Sequence, residues 1–109
     1  MISDLISDAR VEQAMLLLAD TDIEAAKAKA LVKSLEVYGK TVKAFAFLEA
    51  TGTVAEREAK ALNSDRYEEW RTNYDEAVIK SEKLANRRQT AAGEREVWRS
   101  LQANRRQGA

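Results

Sequence analysis

The residues of this chain that could take part in chemistry are its basic side chains and a few aromatic ones. Residues 80–109 carry eight basic residues against three acidic ones, and every basic residue from Arg87 onward is an arginine. Trp98 lies among these arginines. Guanidinium groups bind phosphate through paired hydrogen bonds and stack on bases, and basic residues beside an aromatic ring are typical of surfaces that bind single strands. This segment therefore indicates a polyanion ligand.

A second basic segment, residues 27–43, carries five lysines against Glu36, a net charge of +4. If the chain folds back at 51–65, this segment lies beside residues 80–95, and two like-charged segments need a counter-charge. One candidate is the acidic segment 1–24, net −5, from the same chain or a neighbour, and the other is a polyanion such as nucleic acid. For any single arginine the plainer alternative is a solvated helix face with i,i+4 ion pairs.

The residue types needed for most catalysis are missing. The chain has no His and no Cys, which removes the commonest general base and the usual zinc ligands. It has no glycine-rich phosphate loop and no GxSxG motif, and acid pairs such as Glu68/Glu69 are ordinary on helical surfaces. We therefore predict no catalytic residue, no metal site and no cofactor, and a protein that is not an enzyme.

The elements that position these residues are predicted to be helices. Charged residues make up 33% of the chain, and it has no Pro and only four Gly, a composition typical of long helices. We expect an all-α fold: a long antiparallel helical hairpin with an additional N-terminal helix and a short helix at the corner, assembling into an oligomeric bundle. It forms a single domain over 1–109, with helices at 3–19, 22–50, 54–62 and 64–106.

Polar residues with capping spacing predict where these helices begin. Ser3 and Ser64 are expected N-caps, and the pairs Thr21/Glu24 and Thr53/Glu56 have the spacing of capping boxes. Gly52 suits the backbone conformation that closes a helix.

The second helix carries a heptad pattern, at Leu31, Leu35, Tyr38, Val42 and Phe45, which predicts packing against another helix. Gly39 lies inside this heptad seam. It is either a tolerated glycine, which costs the helix about 1 kcal/mol of stability relative to Ala, or a point where another helix approaches closely. Tyr67, Trp70 and Tyr74 have acidic neighbours, so we expect them to pack at the corner and not to bind nucleic acid.

A two-helix hairpin exposes apolar surface on its outer sides, and association into a larger bundle covers it. We therefore expect a homo-oligomer. The longest apolar run near the N-terminus, Ala14 to Ala19, is too short to cross a membrane, and the absence of Cys fits a cytoplasmic protein.

Two stretches carry a resemblance to known proteins. GTVAEREAKALNSDRYEEW, from Gly52 to Trp70, and EVWRSLQANRR, from Glu96 to Arg106, resemble a group of small helical phage proteins of replication and recombination. The similarity spans roughly residues 30–106, and through helix layout this group is similar to the UvsY-type recombination mediators. That family binds single-stranded DNA as an oligomer of helical hairpins and helps load a recombinase in place of a single-strand-binding protein.

The resemblance implies a non-enzymatic, phage-encoded accessory protein of recombination or replication in the cytoplasm of the infected host cell. Its partners would be single-stranded DNA and a recombinase or single-strand-binding protein. The residues that would contact the phosphate backbone are Lys33, Lys40, Lys43, Arg87, Arg88, Arg95 and Arg99. Two alternatives stay open: a helical interaction module that inhibits or adapts a host or phage protein without binding nucleic acid, and a structural component of the virion.

Overall fold

The computed structural model describes residues 6–108, and this part of the chain consists of four helices and contains no strand. Their bounds are α1 Asp8–Asp20, α2 Asp22–Glu49, α3 Val54–Leu62 and α4 Asp65–Gly108. The predicted all-α class is confirmed, whereas the predicted assembly into an oligomer stays a prediction.

Short polar side chains cap three of these helices. The Ser7 hydroxyl accepts a hydrogen bond from the Arg10 backbone N–H at 3.2 Å, so α1 begins later than the predicted residue 3. The expected cap Ser3 lies outside the described residues. The Thr53 hydroxyl accepts from the Glu56 N–H at 3.2 Å. Ser64 Oγ accepts from Tyr67 N–H at 3.2 Å. The predicted caps of α3 and α4 are therefore confirmed.

The predicted capping box at Thr21 is wrong. The Thr21 hydroxyl donates to the Leu17 carbonyl at 2.6 Å and does not accept from Glu24. Backbone bonds from Thr21 N–H to Leu17 O, at 3.0 Å, and from Ala25 N–H to Thr21 O, at 2.8 Å, keep the helical spacing on both sides. The break between α1 and α2 is therefore a one-residue interruption, because Thr21 closes the preceding helix with its hydroxyl.

The chain divides into two compact units, which we describe separately. The central unit comprises residues 27–81, and the terminal unit comprises residues 1–26 together with 82–109.

In the central unit, α2 packs on the first part of α4 through small residues. The buried positions of α2 are Gly39, Val42 and Ala46, and the Trp70 indole lies against Gly39 so closely that a Cβ there would be 2.6 Å from its Cε2 atom. The Trp70 N–H donates to the Leu35 carbonyl at 2.8 Å. Gly39 is therefore a point of close helix approach, one of the two interpretations that its place in the sequence allowed.

The predicted heptad seam is only partly buried. Val42 is buried, but Leu31, Tyr38 and Phe45 are 50%, 56% and 53% exposed. The contact centres on Gly39, against which the Trp70 indole packs. The large side chains of Leu31, Tyr38 and Phe45 lie to one side of this contact. The predicted seam is therefore confirmed at Val42 and, in part, at Leu35, but not at Leu31, Tyr38 and Phe45.

The corner of the central unit is closed by basic side chains of α3. Arg57 lies 4.1 Å over the Phe47 ring and donates to the Phe47 carbonyl at 3.2 Å, and Lys60 donates to the Thr51 carbonyl at 2.7 Å. The Phe47 carbonyl belongs to the last turn of α2 and also accepts from the Ala50 N–H at 3.2 Å, and a cation is favourable at this end of a helix. Gly52, with φ of +117°, supplies the turn into α3.

In the terminal unit, α1 packs along the last part of α4 in the same chain. The buried residues are aliphatic: Ile6, Val11, Ala14, Leu84 and Ala91. At the edges of this contact, Arg10 Nε pairs with Glu94 Oε2 at 3.1 Å, and the Trp98 N–H donates to Asp8 Oδ1 at 2.8 Å. The acidic first helix thus meets the arginine-rich segment within one chain.

Candidate nucleic-acid interface

The lysines predicted to contact phosphate lie together on α2. Lys33, Lys40 and Lys43 are all exposed, as is Lys29. With 3.6 residues per turn, these four fall within about 80° around the helix axis and span about 21 Å along it. We call Lys29, Lys33, Lys40 and Lys43 the lysine strip, and it belongs to the central unit.

One acidic residue, Glu36, lies on the same side of α2 as the lysine strip. Its carboxylate accepts a hydrogen bond from the Tyr74 hydroxyl at 2.9 Å. This hydrogen bond, with smaller contributions from desolvation and nearby negative charge, raises the pKa of Tyr74 above its ordinary value. One Glu36 oxygen is therefore occupied by α4, and the surface on this side remains predominantly basic.

Arg88 has an intrachain role. Its guanidinium donates to the Leu18 carbonyl at 2.7 Å, to the Thr21 hydroxyl at 2.8 Å and to Asp22 at 3.3 Å. These three groups lie at the break between α1 and α2, and the arginine side chain is only 22% exposed. Binding phosphate would require Arg88 to release these partners, so we assign it to the fold.

Arg95 and Arg99 do not form one exposed face with Arg87. Arg95 follows Ala91 by four residues and is half-buried, while Arg99 is exposed and pairs with Glu96 at 3.2 Å. Glu96 also lies 3.7 Å from Arg95. Arg87 is exposed on the border of a groove of about 440 Å³ in the terminal unit. Within residues 6–108 no hydrogen bond or ion pair engages the Arg87 side chain.

Trp98 is not a free stacking platform. It is half-buried, and its indole N–H is held by the Asp8 carboxylate. An acidic neighbour disfavours nucleic acid, and a ring packed beside α1 offers little area to a base. Of the two candidate counter-charges for the basic segments, the acidic segment 1–24 of the same chain contacts this one, through Asp8 of α1.

The aromatic residues of the corner pack as predicted. The rings of Tyr67 and Trp70 are 5.2 Å apart and tilted by 41°, and those of Trp70 and Tyr74 are stacked at 5.2 Å. Such pairs stabilise a core beyond the area they bury. These three residues therefore belong to the scaffold that presents the lysine strip.

An exposed apolar surface lies next to the lysine strip; exposed apolar surface was predicted, but not its position on α2. Its members are uncharged, exposed and on one side of α2: Ala30, Leu31, Ser34, Val37, Tyr38, Thr41, Ala44, Phe45 and Leu48. We call them the apolar stripe. The signal that could have revealed it was the small-residue spacing of Gly39, Val42 and Ala46, which marks the opposite side as the packed one.

Residues 6–108 contain neither a membrane-spanning helix nor a metal-binding cluster of acidic residues. None of their helices is apolar over a length that would cross a membrane. No group of three or more Asp or Glu residues is arranged there to hold a metal ion.

Comparison with known proteins gave no match: no family model fits the chain, and neither a curated protein nor a solved structure is significantly similar to it. The resemblance to recombination mediators therefore stays a prediction.

Proposed function

We propose that this protein is a phage-type, non-enzymatic accessory protein of recombination or replication that binds single-stranded DNA as a homo-oligomer. The observation that carries this proposal is the lysine strip, four exposed ammonium groups along about 21 Å of one rigid helix. Ammonium groups in such a row contact successive phosphates without reading sequence. A recombinase or a single-strand-binding protein in the cytoplasm of the infected cell is the proposed protein partner.

The exposure of each basic side chain decides which of them we propose as phosphate contacts. Lys33, Lys40 and Lys43, joined by Lys29, form the main surface on the central unit. Arg87 and Arg99 are exposed on the terminal unit and are further candidates. We leave out Arg88 and Arg95 because both side chains are partly buried.

The proposed bundle has a physical reason in the exposure of large apolar side chains. Leu31, Val37, Tyr38, Phe45 and Leu48 of α2 are each at least half exposed, and no large side chain in residues 6–108 is fully buried. A helical hairpin of this kind gains its stability by covering such surface with further helices. We propose that other copies of the chain supply them.

The test is fluorescence anisotropy of a labelled oligo-dT with increasing salt. Binding to single strands loses about 0.7 in log–log slope for each phosphate contact removed. Lys33→Gln/Lys40→Gln should therefore weaken binding and flatten the slope by roughly 1.4. The matched control, Lys80→Gln/Lys83→Gln, removes the same charge from exposed positions on α4 and should leave most of the affinity. No binding by the wild type at low salt, or equal losses in both variants, would reject the proposal.

A second candidate is favoured by the apolar stripe. A helix face of this kind suits docking on another protein, so we propose as the second candidate an inhibitor or adaptor of a host or phage protein. In that case the wild-type protein has no affinity for oligo-dT at low salt, and it forms a stable complex with one protein during infection. Pull-down from infected cells beside the anisotropy measurement separates the two candidates.

A further inference from the structure

We infer that the apolar stripe of α2 is a homodimer interface in which two α2 helices pair antiparallel, and that this pairing lets one polyanion strand bind two lysine strips at once. The interface itself follows from the stripe alone. The assignment of its ligand deepens the proposed function and rests on it.

The first argument is the composition and extent of the stripe. Its nine residues run from Ala30 to Leu48, every one is exposed, and none is charged. They follow about 27 Å of helix, in a chain where 33% of residues are charged. Exposed apolar patches of this extent mark sites of association.

The second argument is the heptad spacing within the stripe. Leu31, Tyr38 and Phe45 recur every seven residues, and Ser34, Thr41 and Leu48 follow each of them by three. These are the two core positions of a coiled coil. The central unit does not use this repeat for its own packing, which centres on Gly39. The repeat is thus available to a second helix.

The third argument is that the stripe is complementary to itself in one register. When Leu31 lies opposite Leu48 of a second copy, Tyr38 lies opposite Thr41 and Phe45 lies opposite Ser34. Each aromatic side chain then meets a small one, as knobs-into-holes packing requires. The two-fold axis passes between Gly39 and Lys40, so every contact occurs twice.

A parallel pairing fits less well. It would place Tyr38 on Tyr38 and Phe45 on Phe45, while Ser34 would meet Ser34. Layers overpacked by two aromatic side chains would alternate with layers in which two small side chains leave a cavity. Both overpacking and cavities are destabilising. The side-chain sizes therefore favour a second copy in the antiparallel arrangement over any parallel one.

The charges of α2 give the dimer its proposed ligand. The lysine strip borders the edge of the stripe that carries Val37 and Ala44, by helical spacing. In the heptad of the stripe, Lys33 and Lys40 occupy the outer flank, and Lys29 and Lys43 lie opposite the seam. An antiparallel pair therefore carries one lysine strip on the outer side of each helix, eight lysines in all. A strand long enough to reach both strips binds to two sites at once, so a bound polyanion strengthens the dimer.

The register is tested by cross-linking, which the absence of cysteine makes straightforward. Leu31→Cys and Leu48→Cys chains are mixed at high salt and mildly oxidised. The expected product is a 31–48 disulfide between copies. Leu31→Cys alone should not cross-link, because its counterpart lies about 25 Å away in this register. A Leu31→Cys homodimer, or no cross-link in the mixture, would overturn the antiparallel pairing.

The interface is tested by neutral substitutions that leave the charge unchanged. Val37→Gln/Phe45→Gln should turn the high-salt dimer into a monomer in sedimentation equilibrium. It should also weaken oligo-dT binding by about 10²-fold, since joining two weak sites multiplies their affinity. The matched control, Val54→Gln/Ile79→Gln, alters two other exposed apolar residues and should stay dimeric.

The outcomes separate this inference from the proposed function. If oligo-dT binds equally well to Val37→Gln/Phe45→Gln and the wild type, the proposed function stands and the bivalent binding by a dimer is wrong. If the 31–48 cross-link forms but oligo-dT neither binds nor strengthens the dimer, the interface stands. The assignment of a polyanion ligand and the proposed function are then both wrong. A wild type that is monomeric at high salt rejects the interface.

Discussion

At the scale of single residues, the packing of Trp70 on Gly39 is the contact on which the central unit depends. A Cβ at residue 39 would overlap the indole, and the indole is held in place by its hydrogen bond to Leu35. We expect Gly39→Ala to lower the free energy of unfolding by about 2 kcal/mol, because the overlap outweighs the gain in helix propensity. Urea denaturation followed by circular dichroism, at matched protein concentration, measures this change.

Gly93 provides the control for that substitution. It is also inside a helix, but a Cβ there would meet nothing within 4 Å. Gly93→Ala should therefore raise the free energy of unfolding by roughly 1 kcal/mol. If both variants were stabilised, the close approach of Trp70 to α2 would be wrong.

At the scale of elements, the break between α1 and α2 depends on a side chain from α4. Arg88 donates to the Leu18 carbonyl and the Thr21 hydroxyl, two groups at the interruption. We expect Arg88→Gln to lower the free energy of unfolding by about 1–3 kcal/mol, because partly buried acceptors lose a charged donor. Arg87→Gln, one residue away and exposed, should change it by less than about 0.5 kcal/mol. Equal effects in urea denaturation would show that Arg88 has no special role in the fold.

The same elements show which features local sequence predicts and which it does not. The caps at Thr53 and Ser64 were predicted because a cap depends on residues within three positions of it. The packed face of α2 was not, because it depends on Trp70, 31 residues beyond Gly39 along the chain. The positive charge of segment 27–43 was predicted from composition, and Lys33, Lys40 and Lys43 from the family resemblance, whereas the engagement of Arg88 and Trp98 by α1 required tertiary structure.

At the scale of the whole molecule, the net charge is zero, but the basic residues have different roles in the two units. In the terminal unit, Arg10 and Arg88 form ion pairs with carboxylates of the same chain. In the central unit, the four lysines of the strip remain exposed beside an uncovered apolar stripe. We therefore expect nucleic-acid affinity and self-association to depend on α2, and to be lost together when the stripe is made polar.

The measurement that tests this account most directly is the mass of the wild-type protein at low salt, by light scattering, with and without oligo-dT. The chain has a mass of 12.2 kDa. We predict that the oligonucleotide shifts the protein to a complex of two chains and one DNA strand, because one strand contacts the lysine strips of both copies. An unchanged protein mass, with the oligonucleotide eluting free, would contradict the account.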